Sequence, residues 1–474
     1  MQVNCTLFRW VVSSCALLVA AGSDAANGVW NGTQSAFWTN SANWSASPYP
    51  SGANDTASFT NAGNSQTTID LTGGLYIRNV RFETPSVAAY TIGTAGNQTL
   101  VLADGGDITL ASTAGNSQTF NAGVQLGVDR SAQSYSIRND NPAQTLTFAD
   151  LFGCPIETSG NPGNKTITVN GSGPVVFNSL RPVGAAGLVL TSYNTNTLSL
   201  AGSNTLYQVN FNGGSGNVLD IGDKELYLNA GGGNCLNVYQ DTVITGSGKL
   251  KLGTTDTALN GGYNYADLNV VPGRTLTVYP SITGLGGIEI WSGTGTFIFK
   301  GTNTFLGHIC IGKEASLVVS SIGNRGSVTS NLGQGSNILF NANGRLVYTG
   351  SGETSDRFVV LGNSDGKLDQ SGASGKLTFS STPTLLAGRT LTLQGSTAGI
   401  GEFSAPLANT GVNALTLAKA GTGTWILSGT NSYTGTTTVN GGKLLVNKPG
   451  SLGFSSAVTV NLGGILGGDG TVNG

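Results

Sequence analysis

The chain has 474 residues, of which 73 are glycine and only 10% are charged, while apolar residues make up 38%. That apolar share is enough for a core and excludes the charge-rich, apolar-poor mixture of ordinary disorder. A formal charge of -2, with one His and one Met in the whole chain, leaves no basic surface for nucleic acid and no polybasic stripe for a membrane.

The first predicted element is an address. MQVNCTLFRWVVSSCALLVAAGSDA places Arg9 ahead of an apolar stretch from Trp10 to Ala21, with Ser23 and Ala25 as small residues where a signal peptidase reads. Residues 1–25 are therefore expected to be an export signal cleaved after Ala25. The apolar run falls short of the roughly 20 residues a spanning helix needs, so no transmembrane segment is expected after cleavage.

Next comes WNGTQSAFWTNSANWSASPYPSGANDTASF, Trp30 to Phe59, where Trp30, Trp38, Trp44 and Tyr49 stand among amides and hydroxyls. Aromatic faces beside amide groups form a platform for sugar rings, which makes these four the candidate ligand contacts. The competing reading, which the composition favours, turns the rings inward to cap the open end of a repeat array. Residues 26–90 are accordingly assigned to a Trp-rich N-terminal cap region and 91–474 to the body.

In the body, Gly and β-branched residues recur every few positions and no apolar stripe of helical period persists, so strands are expected throughout. Three cysteines remain after signal removal, Cys154, Cys235 and Cys310, widely spaced and without a C-x-x-C. Small buried residues in strands describe them better than a disulfide or zinc framework.

Self-similarity is the strongest signal. GTGTFIFKGTNTFLG from Gly293 and GTGTWILSGTNSYTG from Gly421 share nine of fifteen positions at an offset of 128. Upstream, GRTLTV from Gly273 and GRTLTL from Gly388 begin two units, about 273–345 and 388–474, at an offset of 115. The difference between the two offsets reads as a loop of variable length. Within TWILSG, Trp425 and Leu427 fall on one face of a strand, and Leu444 and Val446 alternate with Lys443 and Leu445. Strands this short bury their apolar face only by stacking coil upon coil, which predicts a parallel β-solenoid. At roughly 20 to 25 residues per coil and about 4.8 Å per rung, the rod would be on the order of 90 to 100 Å long. A β-sandwich or propeller is the structural alternative.

The stretch GTGTWILSGTNSYTGTTTVNGGKLLVN, followed by SLG and VTVNLGGILGGDGTVNG, resembles the autotransporter-associated β-strand repeat of bacterial surface proteins, also called the passenger-associated transport repeat. Gly421, Gly423, Trp425, Leu427, Gly429, Asn431, Tyr433, Gly435, Gly442, Leu444 and Val446 fall on its pattern, as do Thr438 and Val439. The resemblance implies an all-β, right-handed parallel β-helix, exported and displayed outside the cell or secreted, with a structural or adhesive role. It also implies extracellular glycans, host or neighbouring cell surfaces and the secretion machinery of the outer membrane as partners. Autotransporters of this kind end in a membrane β-barrel, and no row of strands with aromatic girdles is read here.

Catalysis is the remaining alternative, because parallel β-helices also host polysaccharide lyases and hydrolases. The chain has no Asp-Asp pair, and its one His, His308, stands where the second unit has Thr436. The acidic candidates Asp220, Asp223 and Glu225, and Glu353 and Asp356, each have a Lys or Arg alongside and read as ion pairs. GGDG near the end lacks the repeated Asp spacing of calcium-binding nonapeptides. No catalytic residue, cofactor or metal site is therefore expected. A polysaccharide-binding or polysaccharide-degrading β-helix is the second reading.

Overall fold

The computed structural model describes residues 25–128, 131–153, 163–182, 187–214, 216–229, 234–253, 265–290, 293–453 and 457–472. The expected export signal, apart from Ala25, and Cys154 lie outside the described residues. Apart from two short 3-10 turns, Ser41–Asn43 and Gly63–Ser65, the regular elements described are β-strands.

Three strands make one coil, and each pairs in parallel with the strand one coil above. Phe358–Leu361, Gly366–Gln370 and Lys376–Phe379 form one coil; Thr384–Leu385, Arg389–Gln394 and Ile400–Phe403 form the next and pair with them in that order. A first ladder runs from Gly28–Val29 to Thr384–Leu385, and a second from Thr68–Ile69 to Val458–Val460. The third, more interrupted, ends at Gly464–Gly467. The result is a parallel β-solenoid of about 16 turns. Successive strands of a sandwich or propeller blade pair antiparallel, so the parallel ladders exclude that alternative.

The period of two predicted for the strands sets what is buried. In Arg389–Gln394, Leu391 and Leu393 are fully buried while Thr390 and Thr392 remain partly exposed. Inward residues of successive coils meet in columns. Phe120, Phe148 and Phe177 stack at ring separations of 5.1 and 5.0 Å, and Phe379 and Phe403 at 5.2 Å. Each such side chain contributes about 1.5–3 kcal/mol by burial alone, which is how a chain with so few ions holds a rod together.

Two sequence expectations are revised. About 16 turns at ~4.8 Å per rung give a ladder of roughly 77 Å, shorter than expected, because several corners absorb extra chain. The step from Phe299 to Val319 is compact, whereas that from Ile244 to Val278 is long. The solenoid also starts earlier than residue 91: Thr56–Phe59 already pairs with Gly28–Val29 below and Gly74–Phe82 above. The segment that lies over the coil end is the shorter stretch from Trp30 to Pro50.

The repeated units show a further difference. Thr296–Phe299 of the first unit lies in the second ladder, paired with Thr275–Val278 and Ser316–Val319. Thr424–Leu427 of the second unit lies in the third ladder, between Ile400–Phe403 and Gly442–Val446. Both GRTLT segments, in contrast, lie in the second ladder. The extra residues between GRTLT and GTGT in the second unit are therefore one more strand and corner, and not the loop expected. They advance the motif by one face.

Candidate functional site

The aromatic segment closes the N-terminal end. Trp30 and Trp38 are 0% exposed and Trp44 5%, and all three pack on Phe59 at centroid separations of 6.2, 5.8 and 5.8 Å. Their indole N–H groups donate to backbone carbonyls: Trp30 to Gln66 (3.3 Å), Trp38 to Pro50 (2.8 Å) and Trp44 to Trp38 (2.7 Å). Tyr49 is half-buried against the same cluster. A stacking platform needs exposed ring faces, and these indoles present none. What the cap offers to solvent is a polar notch of about 400 Å³ lined by Asn31, Thr33, Asn61 and Asn64, and the ring of Phe37, 49% exposed.

The residues of the Gly421 unit do packing and corner work. Trp425, Leu427, Tyr433, Leu444 and Val446 are buried, and Trp425 stacks on Phe403 of the coil below at 6.1 Å. Gly421 and Gly442 hold φ of 65° and 62°, the left-handed region that disfavours any Cβ. At Gly429 and Gly435 a Cβ would meet the coil below at 2.6 and 2.3 Å, and Gly423 donates its N–H to Gly395. Asn431 spans three coils: its Oδ1 accepts from Leu407 N at 2.7 Å and its Nδ2 donates to Ser451 O at 2.5 Å. Asn303 does the same between Ile282 N and Asn331 O, at 2.8 and 2.5 Å. The shared role survives the change of face.

The acidic candidates are engaged. Asp223 pairs with Lys224 at 2.8 Å and Glu225 with Lys251 at 3.6 Å, both exposed, and Asp220 accepts from Gly222 N. Glu353 accepts from Ile322 N and Gly323 N, while Asp356 accepts from Arg325 N and pairs with the Arg325 side chain at 3.2 Å. Beside them Arg357, fully buried, donates to the carbonyls of Ile322, Gly323, Gly333 and Gly335 and to Ser330 Oγ. Desolvation lowers its pKa to about 10. These groups shape the corner that carries the chain from Ser320 to Ser336. Among the described residues no group of three or more His, Cys, Asp or Glu stands close enough to hold a metal ion.

Cys235 and Cys310 are free and buried. Burial, with Asp267 nearby, pushes the Cys235 thiol up to about 12, and burial beside Glu289 raises that of Cys310. Neither has the thiolate character that nucleophilic chemistry needs.

A concavity lies on the outer side of the first ladder, with a volume of about 460 Å³. Leu339, Phe358, Val360 and Leu386 form its apolar wall, His308 and Asn337 are among its polar lining, and no formally charged side chain borders it. His308 Nδ1 accepts from Ser336 N and Asn337 N at 3.1 and 3.2 Å. Burial and the nearby Arg357 lower its pKa, so the imidazole is a neutral acceptor fixing the groove edge. Nothing in the sequence pattern marks this groove, because its residues come from coils of unequal length and share no spacing.

Comparison with known proteins agrees with this architecture. Residues 417–446 match the family model of the passenger-associated-transport-repeat. The chain carries this repeat. In the structure the repeat is one full coil, from Leu417 to its partner Thr437, followed by the strand Gly442–Val446. The chain is also 28% identical over 378 residues to the adhesin BmaC autotransporter of Brucella suis biovar 1 (strain 1330). That match covers 76% of this chain and 10% of the relative, so the chain spans about a tenth of that protein's length. No solved structure matches the chain significantly.

Proposed function

We propose that the protein is an exported, non-catalytic β-solenoid passenger that acts at the cell surface or after secretion as a structural and adhesive rod. The observation that carries this reading is the breadth of the similarity to the Brucella adhesin, 76% of this chain, far more than the 417–446 repeat alone. The geometry agrees with it: the acidic candidates are used in ion pairs and turns, Cys235 and Cys310 are buried, and the outer faces are accessible along the rod. Its partners would be extracellular glycans or the surfaces of host or neighbouring cells, with the secretion machinery of the outer membrane needed to deliver it.

Beads coated with the purified full chain test the adhesive role. They are expected to adhere to cell or matrix surfaces more than beads coated with heat-unfolded protein, and equal adhesion would refute it. The non-catalytic part is tested on a polysaccharide panel. Cleavage by the parent protein that is lost in Asp223→Asn or Asp356→Asn would overturn it.

A further inference from the structure

At the corner between the first and second ladders, Tyr193 and Tyr239 stand on the same side of the rod with 46% and 43% of their surface exposed. The hydrogen-bond register places one coil between them. Asn212 N donates to Ser192 O, directly before Tyr193, and Tyr239 N donates to Phe211 O, directly before Asn212. Two rungs separate the tyrosine backbones by ~9.6 Å along the axis.

The intervening coil is Asn212-Gly213-Gly214. The glycines carry no side chain to cover the rings, and Gly213 lies on the Tyr193 backbone, where a Cβ would meet its Cα at 2.8 Å. Asn212 Nδ2 donates to the Tyr193 hydroxyl at 3.2 Å, which fixes that ring. Its Oδ1 is turned inward and shielded from solvent, so the amide meets the outside through the side that holds the tyrosine. The amide of Gln240 follows Tyr239 on the same corner.

We infer that Tyr193, Asn212 and Tyr239 form a contact strip for an extended, uncharged polysaccharide running along the rod axis. The apolar C–H faces of pyranose rings suit exposed tyrosine faces, the Asn212 amide holds the Tyr193 ring in place, and the ring–amide–ring order repeats on the length scale of successive sugars. None of the three residues is charged, so an anionic polymer gains nothing there. This inference deepens the adhesive reading and rests on it.

The test is equilibrium binding of the full chain to soluble uncharged β-glucan, xyloglucan and mannan, with polygalacturonate as the anionic control. Both tyrosines are exposed, and their removal leaves the core intact. Tyr193→Ala and Tyr239→Ala are each expected to weaken binding to at least one uncharged polymer about tenfold, corresponding to one lost stacking contact. Binding to polygalacturonate would stay unchanged. The proposal is overturned if the double variant binds like the parent, or if the parent binds none of the uncharged polymers. The bead assay, run with the double variant, separates the two readings: adhesion that persists while no polysaccharide is bound keeps the adhesive role and removes the glycan strip.

Discussion

Lys419 gives the sharpest test of how the repeat is built. It closes the strand Leu415–Lys419 inside the matched repeat, is fully buried, and donates to the carbonyls of Ala420, Gly421 and Gly441 at 2.6, 3.2 and 3.0 Å. No carboxylate pairs with it among the described residues. Burial lowers its pKa from 10.5 to about 8. Between those two values the unfolded chain holds a proton that the folded chain has released, so stability rises with pH across the window and is lowest below it. A depression of this size corresponds to roughly 3 kcal/mol. Lys419→Met removes the titrating group. The unfolding free energy of the parent minus that of the variant should therefore increase by up to roughly 3 kcal/mol between pH 8 and pH 10.5. Solenoids unfold in parts, so the readout must be local. Urea titration followed by the fluorescence of buried Trp425, obtained as the difference from Trp425→Phe, reports on this end of the rod. Parallel stability–pH curves for parent and Lys419→Met would refute the reasoning, because the lysine would then titrate as in the unfolded chain.

Two further perturbations probe the ends and corners. Trp44→Ala removes a ring packed on Trp30, Trp38 and Phe59 and should cost about 3–5 kcal/mol, read as early proteolysis confined to the first coils while the Trp425 transition is unmoved. Arg357→Met strands four carbonyls that share one guanidinium, and should destabilise by about 3 kcal/mol or more; limited proteolysis should then cut between Ser320 and Ser336, and an uncut corner would show that the guanidinium does not hold it.

What the sequence disclosed was local. Alternation in TWIL and RTLTL names the inward residues, because a strand turns every second side chain to the same side whatever lies above it. The stacking of coils followed from strands too short to be stable alone. The outer surface was not disclosed, because neighbours there are separated by a full coil and coils differ in length. His308 and Phe358 border one groove, and Tyr193 and Tyr239 one corner, without any sequence period that connects them.

The displaced motif explains why the repeat is recognisable although its surroundings vary. Phe297 and Trp425 occupy equivalent positions in the two units but different faces of the rod. Both are buried, and both are followed by an Asn that joins the coils above and below through its amide. In a coil of three short strands, every face requires the same things: an inward apolar pair, a corner without a side chain, and an amide to pair the exposed ends of its neighbours. A unit that supplies all three is therefore interchangeable between faces. Selection on the solenoid can then preserve the unit while leaving its outward residues, Thr296 and Ile298 in one unit and Thr424 and Ile426 in the other, free of any fixed place on the surface. Contact chemistry is for that reason to be sought outside the repeat, where corners such as Tyr193 to Tyr239 depart from it.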